Sequence, residues 1–231
     1  MRFRDVSSGA EISSRVSLIK EYLRSVRTRE GLCTAIDDPD EAWRHSPPPA
    51  CGIEPFGAFG SGLHETTSGC LALMEDFAEE IPDRTGIAVL DIGTGTGILS
   101  LAAYRLGMRR ITAIDVSVRA VIAAFHNFNL HGISREVDLR LADIRTVSGE
   151  YDLVLANLRF GILSGMLEQI LLRMGPGGTI IVSGIRQEEA GQFDILVSHT
   201  AVLAVERTVE RNGWISCALR KGGTGWQGRR A

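Results

Sequence analysis

The residues best suited to chemistry lie at positions 89–103, where the sequence reads VLDIGTGTGILSLAA. Asp91 ends an apolar run, and Gly93, Thr94, Gly95 and Gly97 lead into a helical pattern. Because glycine has no Cβ, the backbone N–H groups of such a loop can approach a ligand closely, and the following helix directs its N-terminus at the same point. The segment therefore predicts a ligand-binding loop.

Two common nucleotide-binding patterns do not fit this loop. The dinucleotide pattern G-x-G-x-x-G, counted from Gly93, requires a glycine at position 98, where the chain has Ile98. The phosphate loop of nucleotide hydrolases requires Gly-Lys followed by Ser or Thr, and the segment has no lysine. Dehydrogenases and nucleotide hydrolases are therefore disfavoured.

Polar residues also follow three later apolar runs. Asp115 ends RITAIDV, Asp143 lies in LADI, and Asn157 ends YDLVLAN. Each residue alone has an ordinary alternative, because an aspartate or asparagine at this place often caps a helix or lies in a solvated turn. As a set with Asp91 they predict one crevice, since the carboxyl ends of parallel strands meet at one edge of a sheet.

The elements that would position these residues follow from the alternation of short apolar runs with stretches of helical period after Ile87. Nearly continuous apolar strands are typical of a parallel sheet covered on both faces, and helices here are expected to end at Gly132 and Gly175 in a left-handed conformation. Asn212-Gly213 predicts the turn of an antiparallel hairpin. The fold class is therefore α/β, with a doubly wound, mostly parallel sheet and a C-terminal antiparallel hairpin. The predicted strands are 87–93, 110–116, 137–143, 151–157 and 178–184, and the helices are 98–106, 118–132 and 159–175.

The first 54 residues differ from the rest of the chain. Apolar residues recur every three or four positions and predict an amphipathic helix, which could pack on its own domain, read a substrate or seal a homodimer. An acidic, proline-rich stretch follows and predicts a linker or a lid. The helix residues are Ile12, Val16, Ile19, Leu23 and Val26.

Composition limits the remaining classes. A net charge of −3 and a pI near 6.0 argue against a broad nucleic-acid surface, although residues 222–231 form a basic tail. No apolar run is long enough for a membrane span, so we expect a cytoplasmic protein. We expect no metal site, and Cys33, Cys51, Cys70 and Cys217 are expected to be reduced and structural, since they form no Cys-x-x-Cys pair.

The pattern D-x-G-x-G-x-G resembles that of the class I S-adenosylmethionine-dependent methyltransferases, which have a seven-stranded Rossmann-like fold. The resemblance implies that the loop cradles the methionine end and ribose of S-adenosyl-L-methionine. It implies that Asp115 binds the ribose hydroxyls with Val116 beside it, and that Asp143 faces the adenine with Ile144 nearby. By the same resemblance, Asn157 orients an amine acceptor and is counted among the cofactor contacts.

Residues 59–67, FGSGLHETT, resemble the FGTGLHETT signature of the bacterial ribosomal protein L-eleven methyltransferases, which trimethylate amino groups of a large-subunit stalk protein. The resemblance covers residues 55 to about 221. It implies that Phe59, Gly60 and Gly62 lie over the cofactor and that His64 and Thr67 shape the pocket rim. His64 could accept a proton, or it could be a packing or capping residue, and Thr66 and Thr67 are candidate helix N-caps.

Two departures affect the expected acceptor. The family carries an N-terminal recognition domain that these first 54 residues do not resemble, and Arg159 and Phe160 follow Asn157 where the family has small or aliphatic residues. Arg159 could bind an anionic group of the acceptor or be a solvated helix residue. The sequence thus favours N-methylation of a protein amine, with a small-molecule methyltransferase or a non-catalytic cofactor-binding protein as alternatives.

Overall fold

The computed structural model describes residues 64–222, which contain five α-helices, seven strands and two short 3-10 turns at Ile144–Thr146 and Gln187–Glu189. The helices are α1 (Glu65–Glu79), α2 (Ile98–Arg105), α3 (Val118–Leu130), α4 (Phe160–Arg173) and α5 (Ala190–His199). The strands are β1 (Ala88–Ile92), β2 (Arg110–Asp115), β3 (Val137–Leu141), β4 (Tyr151–Asn157), β5 (Met174–Arg186), β6 (Leu203–Arg211) and β7 (Trp214–Lys221).

All seven strands form one sheet in the order β3-β2-β1-β4-β5-β7-β6. Strands β1 to β5 are parallel, whereas β7 is antiparallel to both β5 and β6. The predicted doubly wound sheet with a C-terminal antiparallel hairpin is therefore confirmed. The order reverses beside β1, so the crevice that such sheets use for ligands lies at the carboxyl ends of β1 and its neighbours.

Helices cover both faces of the sheet. On one face, α1, α2 and α3 bury residues such as Leu73, Leu101 and Phe128 against the central strands. On the other face, α4 and α5 bury residues that include Leu163 and Phe193. Each such side chain contributes about 1.5 to 3 kcal/mol by leaving water, so the two apolar layers hold the strand ends in place.

The turns test three sequence predictions. Gly132 has φ 69° after α3, which confirms its left-handed conformation, and Asn212 and Gly213 have φ 46° and 79° in the predicted hairpin turn. The predicted helix end at Gly175 is wrong. Helix α4 ends at Arg173, and Met174 already pairs with Tyr151 in β5. Four residues then bulge out before Thr179 pairs with Leu153, which is why β5 begins earlier than its apolar run.

Several predictions lie outside the described residues. These are the N-terminal helix with its linker, lid and homodimer roles, most of the basic tail, two of the cysteines, and the cofactor contacts of Phe59, Gly60 and Gly62. Within residues 64–222, Cys70 and Cys217 are buried free thiols, as expected. None of the helices in this range has the length and apolar character needed to cross a bilayer.

Candidate functional site

The glycine loop connects β1 to α2. Gly93, Gly95 and Gly97 have φ angles of 67°, 57° and 83°, so the loop is built on left-handed conformations that favour glycine. A Cβ on Gly97 would lie 2.5 Å from the ring of Phe128, because the start of α2 packs directly on α3. The predicted loop is therefore formed, and its shape depends on the absence of side chains.

Asp91 lies beneath this loop and is only 1% exposed. Its Oδ2 accepts hydrogen bonds from Thr94 Oγ1 at 2.7 Å, Ser100 Oγ at 2.7 Å and the Ser100 backbone N–H at 3.2 Å. Burial raises the pKa of Asp91 to about 6, while the bonds from Ser100 and Thr94 oppose that rise. Asp91 therefore ties the loop to the first turn of α2.

Asp115 lies at the end of β2, directly beside the loop. Its Oδ2 accepts the Gly95 N–H at 3.1 Å and its Oδ1 accepts the Ser117 N–H at 2.8 Å. The Asp115 side chain is partly exposed, and the neighbouring Val116 is 64% exposed. A carboxylate with free lone pairs thus lies next to an exposed apolar side chain at the crevice. Such a pair of groups suits a nucleoside, whose hydroxyls can donate to the carboxylate.

Asp143 is less available to a ligand. It caps the 3-10 turn after β3 through the Arg145 N–H, and both of its carboxylate oxygens bind the Arg145 guanidinium, at 2.8 and 2.9 Å. These bonds lower the pKa of Asp143. Ile144 is 2% exposed as a whole residue, and its side chain belongs to the apolar layer under α4 and α5.

Asn157 ends β4 opposite Ser183 of β5. Its Nδ2 donates to Thr67 Oγ1 at 3.4 Å, whereas its Oδ1 is buried and has no hydrogen-bond partner within residues 64–222. The alternative that Asn157 caps the following helix is wrong, because Arg159 occupies the N-cap position of α4. A buried acceptor without a partner is costly, so this oxygen is a candidate contact for a ligand.

His64 is the N-cap of α1. Its Nδ1 accepts the Thr66 N–H at 3.3 Å and lies 2.9 Å from Thr66 Oγ1, and its ring meets Trp214 edge to face at 5.1 Å. The capping role considered for His64 is therefore present. The expectation that Thr66 or Thr67 caps the helix is wrong, since both lie inside its first turn and are buried.

The tip of the β6–β7 hairpin holds the same helix end. Asn212 Nδ2 donates to Glu65 Oε1 at 2.7 Å, and Arg211 Nη1 donates to Ser68 Oγ at 2.8 Å. Sequence reasoning found the turn but missed this contact, which joins residues more than 140 positions apart. The Asn-Gly turn was the available signal, because it fixes where the hairpin tip must lie.

Beneath Asn157, α1 approaches the sheet very closely. A Cβ on Gly69 would lie 2.2 Å from Ser216 Oγ, and that hydroxyl is 2.7 Å from Ser183 Oγ. Ser183 and Ser216 are both buried, and burial also raises the pKa of the neighbouring Cys70 thiol, so it remains protonated. This buried polar cluster was not predicted from the sequence.

The comparison with known families is decisive. The sequence model described as ribosomal protein L11 methyltransferase matches residues 41–222. The chain belongs to this family. The predicted resemblance is thereby confirmed, on residues that include the glycine loop and Asn157.

Individual members of the methyltransferase family show how far the similarity extends. The chain is 37% identical over 150 residues to the ribosomal protein L11 methyltransferase of Pelobacter propionicus, covering 63% of this chain and 48% of the relative. It is 34% identical over 207 residues to the enzyme of that name from Agrobacterium fabrum, covering 87% and 68%. The chain spans about half the length of the first relatives that it matches.

A solved structure agrees with the fold of this family. The ribosomal protein L11 methylase of Lactobacillus delbrueckii subsp. bulgaricus has a TM-score of 0.64 and 29% identity, over 72% of this chain and 82% of that one. The fold described above is thus similar to that of a named family member.

Arg159 and an open groove are two further features of the described residues. Arg159 is exposed at the start of α4 and makes no ion pair with another described residue, so its two interpretations remain open. An open groove of about 810 Å³ lies at the amino-terminal edge of the sheet, where the β3–β4 connection has only a 3-10 turn. Its rim mixes Arg109 and Arg135 with Glu136 and Glu150, and none of its lining residues was a predicted site residue.

Proposed function

We propose that this chain is an S-adenosyl-L-methionine-dependent methyltransferase that methylates an amino group of a protein. The observation that carries the proposal is the buried Oδ1 of Asn157, an acceptor without a partner in the described residues, at the carboxyl edge that also holds the glycine loop. Family membership supports the same reaction class. The proposal therefore combines one unsatisfied atom with a glycine loop held in left-handed conformations at the same edge of the sheet.

The groups that line the crevice fit the cofactor that the family implies. We propose that Asp115 would accept the ribose hydroxyls, that Val116 would cover an apolar face of the nucleoside, and that the backbone of residues 93–97 would lie against the methionine end. S-adenosyl-L-methionine, when bound, supplies an electrophilic methyl group. Asp91 acts indirectly, since its hydrogen bonds hold Thr94 and Ser100 in the loop conformation.

Asp143 and Ile144 contribute less than the resemblance implies. A ligand that used the Asp143 carboxylate would have to replace or share the two bonds from Arg145. We propose that Ile144 supports the crevice from the core and does not contact the ligand, because the residue is 2% exposed and its side chain lies in the apolar layer. Binding energy in the crevice should therefore be concentrated at Asp115.

The amine that receives the methyl group must point its lone pair at the methyl carbon. A hydrogen-bond acceptor on the protein can hold it in this orientation. We propose that Asn157 Oδ1 accepts an N–H of the amine while Thr67 holds the Nδ2 end of the amide in place. Orientation of this kind lowers a barrier by holding the reacting atoms about 3 to 3.5 Å apart. Only an unprotonated amine has the required lone pair, so one proton must leave first.

We propose that this proton leaves to solvent rather than to His64. His64 Nδ1 already accepts the Thr66 N–H, and its ring is packed on Trp214. Use as a general base would take this nitrogen away from the helix cap. His64 therefore serves to hold the start of α1, and with it Thr67, next to Asn157.

A protein acceptor is favoured over a small molecule by the names of the relatives, which are all ribosomal protein methyltransferases. A ribosomal acceptor would place the reaction in the cytoplasm. A small-molecule acceptor remains the second candidate, because the matched relatives extend well beyond the part of their length that this chain covers.

The direct test is methyl transfer from labelled S-adenosyl-L-methionine. The chain is incubated separately with isolated ribosomal protein L11, with intact ribosomes and with a small-molecule extract. The Asp115→Ala variant serves as the control with weakened cofactor binding. Label in the ribosomal protein supports the proposal, and label only in the small-molecule fraction supports the second candidate. No transfer to any fraction, with cofactor binding intact, would indicate a binding protein instead.

A further inference from the structure

Leu158 lies between the glycine loop after β1 and the neighbouring strand β5, and it was not a predicted site residue. It directly follows Asn157, and its side chain is partly buried against the apolar layer under α4 and α5. A Cβ placed on Gly93 would be 2.6 Å from Leu158 Cδ2. The Leu158 side chain therefore fills the space beside the first glycine of the loop.

The Leu158 backbone is fixed just as closely on its other side. Its N–H donates to the Ser183 carbonyl at 3.2 Å. A Cβ on Gly184 would lie 2.2 Å from the Leu158 carbonyl oxygen and 2.6 Å from its carbonyl carbon. Unlike the end of a flexible side chain, backbone atoms at this distance cannot move away without displacing Asn157 or Arg159.

These contacts make Leu158 a bridge between the carboxyl ends of three adjacent strands. Its backbone is held by β5, its side chain contacts the residue that follows β1, and it continues β4 directly from Asn157. Any shift of Leu158 would therefore change the position of the Asn157 amide relative to the glycine loop.

We propose that Leu158 is a positioning residue, which sets the distance between the cofactor loop and the acceptor-orienting amide of Asn157. The inference rests on the proposed function and adds to it a residue that need not touch either substrate. It predicts that loss of the side chain harms methyl transfer more than cofactor binding, because a looser Asn157 affects only the geometry of the acceptor.

The first experiment compares Leu158→Ala with Leu158→Met. We expect Leu158→Ala to lower kcat about 10-fold or more, with the Kd for S-adenosyl-L-homocysteine changed less than about 3-fold. Leu158→Met keeps a flexible apolar chain at Gly93 and should retain most of the turnover. Equal losses of turnover and affinity in Leu158→Ala, or normal turnover, would overturn the proposal.

The second experiment is a double-mutant cycle read by urea unfolding and by cofactor affinity. Gly93→Ala adds both a left-handed strain and a clash with Leu158, and the clash is absent when Leu158→Ala is also present. We therefore expect Gly93→Ala to lower cofactor affinity at least about 5-fold less in the Leu158→Ala background. Gly132→Ala is the matched control, since Gly132 has φ 69° but open space around its Cβ position.

The control should have the same effect in both backgrounds. An identical effect of Gly93→Ala with and without the Leu158 side chain would overturn the bridge. If the proposed function itself is wrong, the result differs: the folded, unsubstituted chain neither binds the cofactor nor transfers a methyl group. The unfolding cycle would still show in that case whether Leu158 fixes Gly93.

Discussion

The crevice has two halves, which we name after their proposed roles, and they are assembled in different ways. In the cofactor half, Asp91 binds Thr94 and Ser100, Asp115 binds Gly95 and Ser117, and Asp143 binds Arg145, so the hydrogen bonds of these aspartates join residues at most 20 positions apart. In the acceptor half, Asn157 binds Thr67 across 90 positions, and Asn212 binds Glu65 across 147. The aspartate hydrogen bonds of the cofactor half are therefore local in the sequence, whereas the polar contacts of the acceptor half depend on the whole fold.

The two halves also differ in how far the protein satisfies its own polar groups. Each aspartate of the cofactor half already accepts hydrogen bonds from the chain. Asn157 leaves its Oδ1 without a partner in the described residues. The cofactor half is therefore preorganised by internal hydrogen bonds, while the acceptor half has one hydrogen-bond acceptor that a ligand could use.

The largest expected effect concerns the local packing of the cofactor half. Gly97→Ala adds a left-handed strain and places a Cβ 2.5 Å from the Phe128 ring, which is fully buried. We expect the free energy of unfolding to fall by about 2 to 5 kcal/mol. Urea denaturation measures it. Gly132→Ala, with strain and no clash, should cost only about 1 to 2 kcal/mol, and equal losses would contradict the packing argument.

The next effect ranks the acids within the cofactor half. Asp115→Ala should weaken S-adenosyl-L-methionine binding by about 1.5 to 3 kcal/mol, the range for a lost hydrogen bond to a charged group. Asp143→Ala should cost no more than about 1 kcal/mol, because the exposed Arg145 side chain already occupies that partly buried carboxylate. Calorimetric titration of both variants decides the order. A larger loss for Asp143→Ala would mean that the ligand displaces Arg145.

The smallest effect is a pH dependence that belongs to Asp91. Its folded-state pKa of about 6 lies above that of an unfolded aspartate, so the folded protein holds the proton more tightly. The resulting stability is fully present below about pH 4 and is lost as the pH rises through 6, and about 1 kcal/mol of this loss falls between pH 5 and pH 7. For a chain of this size the Tm should fall by about 2 to 4 °C. Asp91→Asn should lack this component, and an unchanged slope would remove Asp91 as its source.

The contrast between the halves also explains what the sequence could and could not predict. The glycine loop, the position of Asp115 at the end of β2 and the bounds of β4 follow from patterns within about 10 to 25 residues, and these predictions agree with the structure. The side-chain environments were harder to predict, since no sequence pattern shows that Asp143 pairs with the nearby Arg145 or that Ile144 lies in the core.

In the acceptor half, the sequence indicated Asn157 and the capping role of His64. The contact of His64 with Trp214 and the space filled by Leu158 result from the packing of distant strands and helices. Gly184 illustrates the difficulty. A side chain at this position would clash with the Leu158 backbone, and this is visible only when β4 and β5 are side by side. Tertiary contacts of this kind leave no short-range pattern in the sequence.

The central claim is that the two halves have separate tasks, and Asn157→Ala tests it most directly. Turnover and cofactor affinity are measured on the same preparation, with folding checked by thermal unfolding. We expect kcat to fall about 100-fold, because the amine loses its orientation, while the Kd for S-adenosyl-L-homocysteine changes less than about 2-fold. A parallel fall in affinity and turnover would contradict the account and would place Asn157 in the cofactor half.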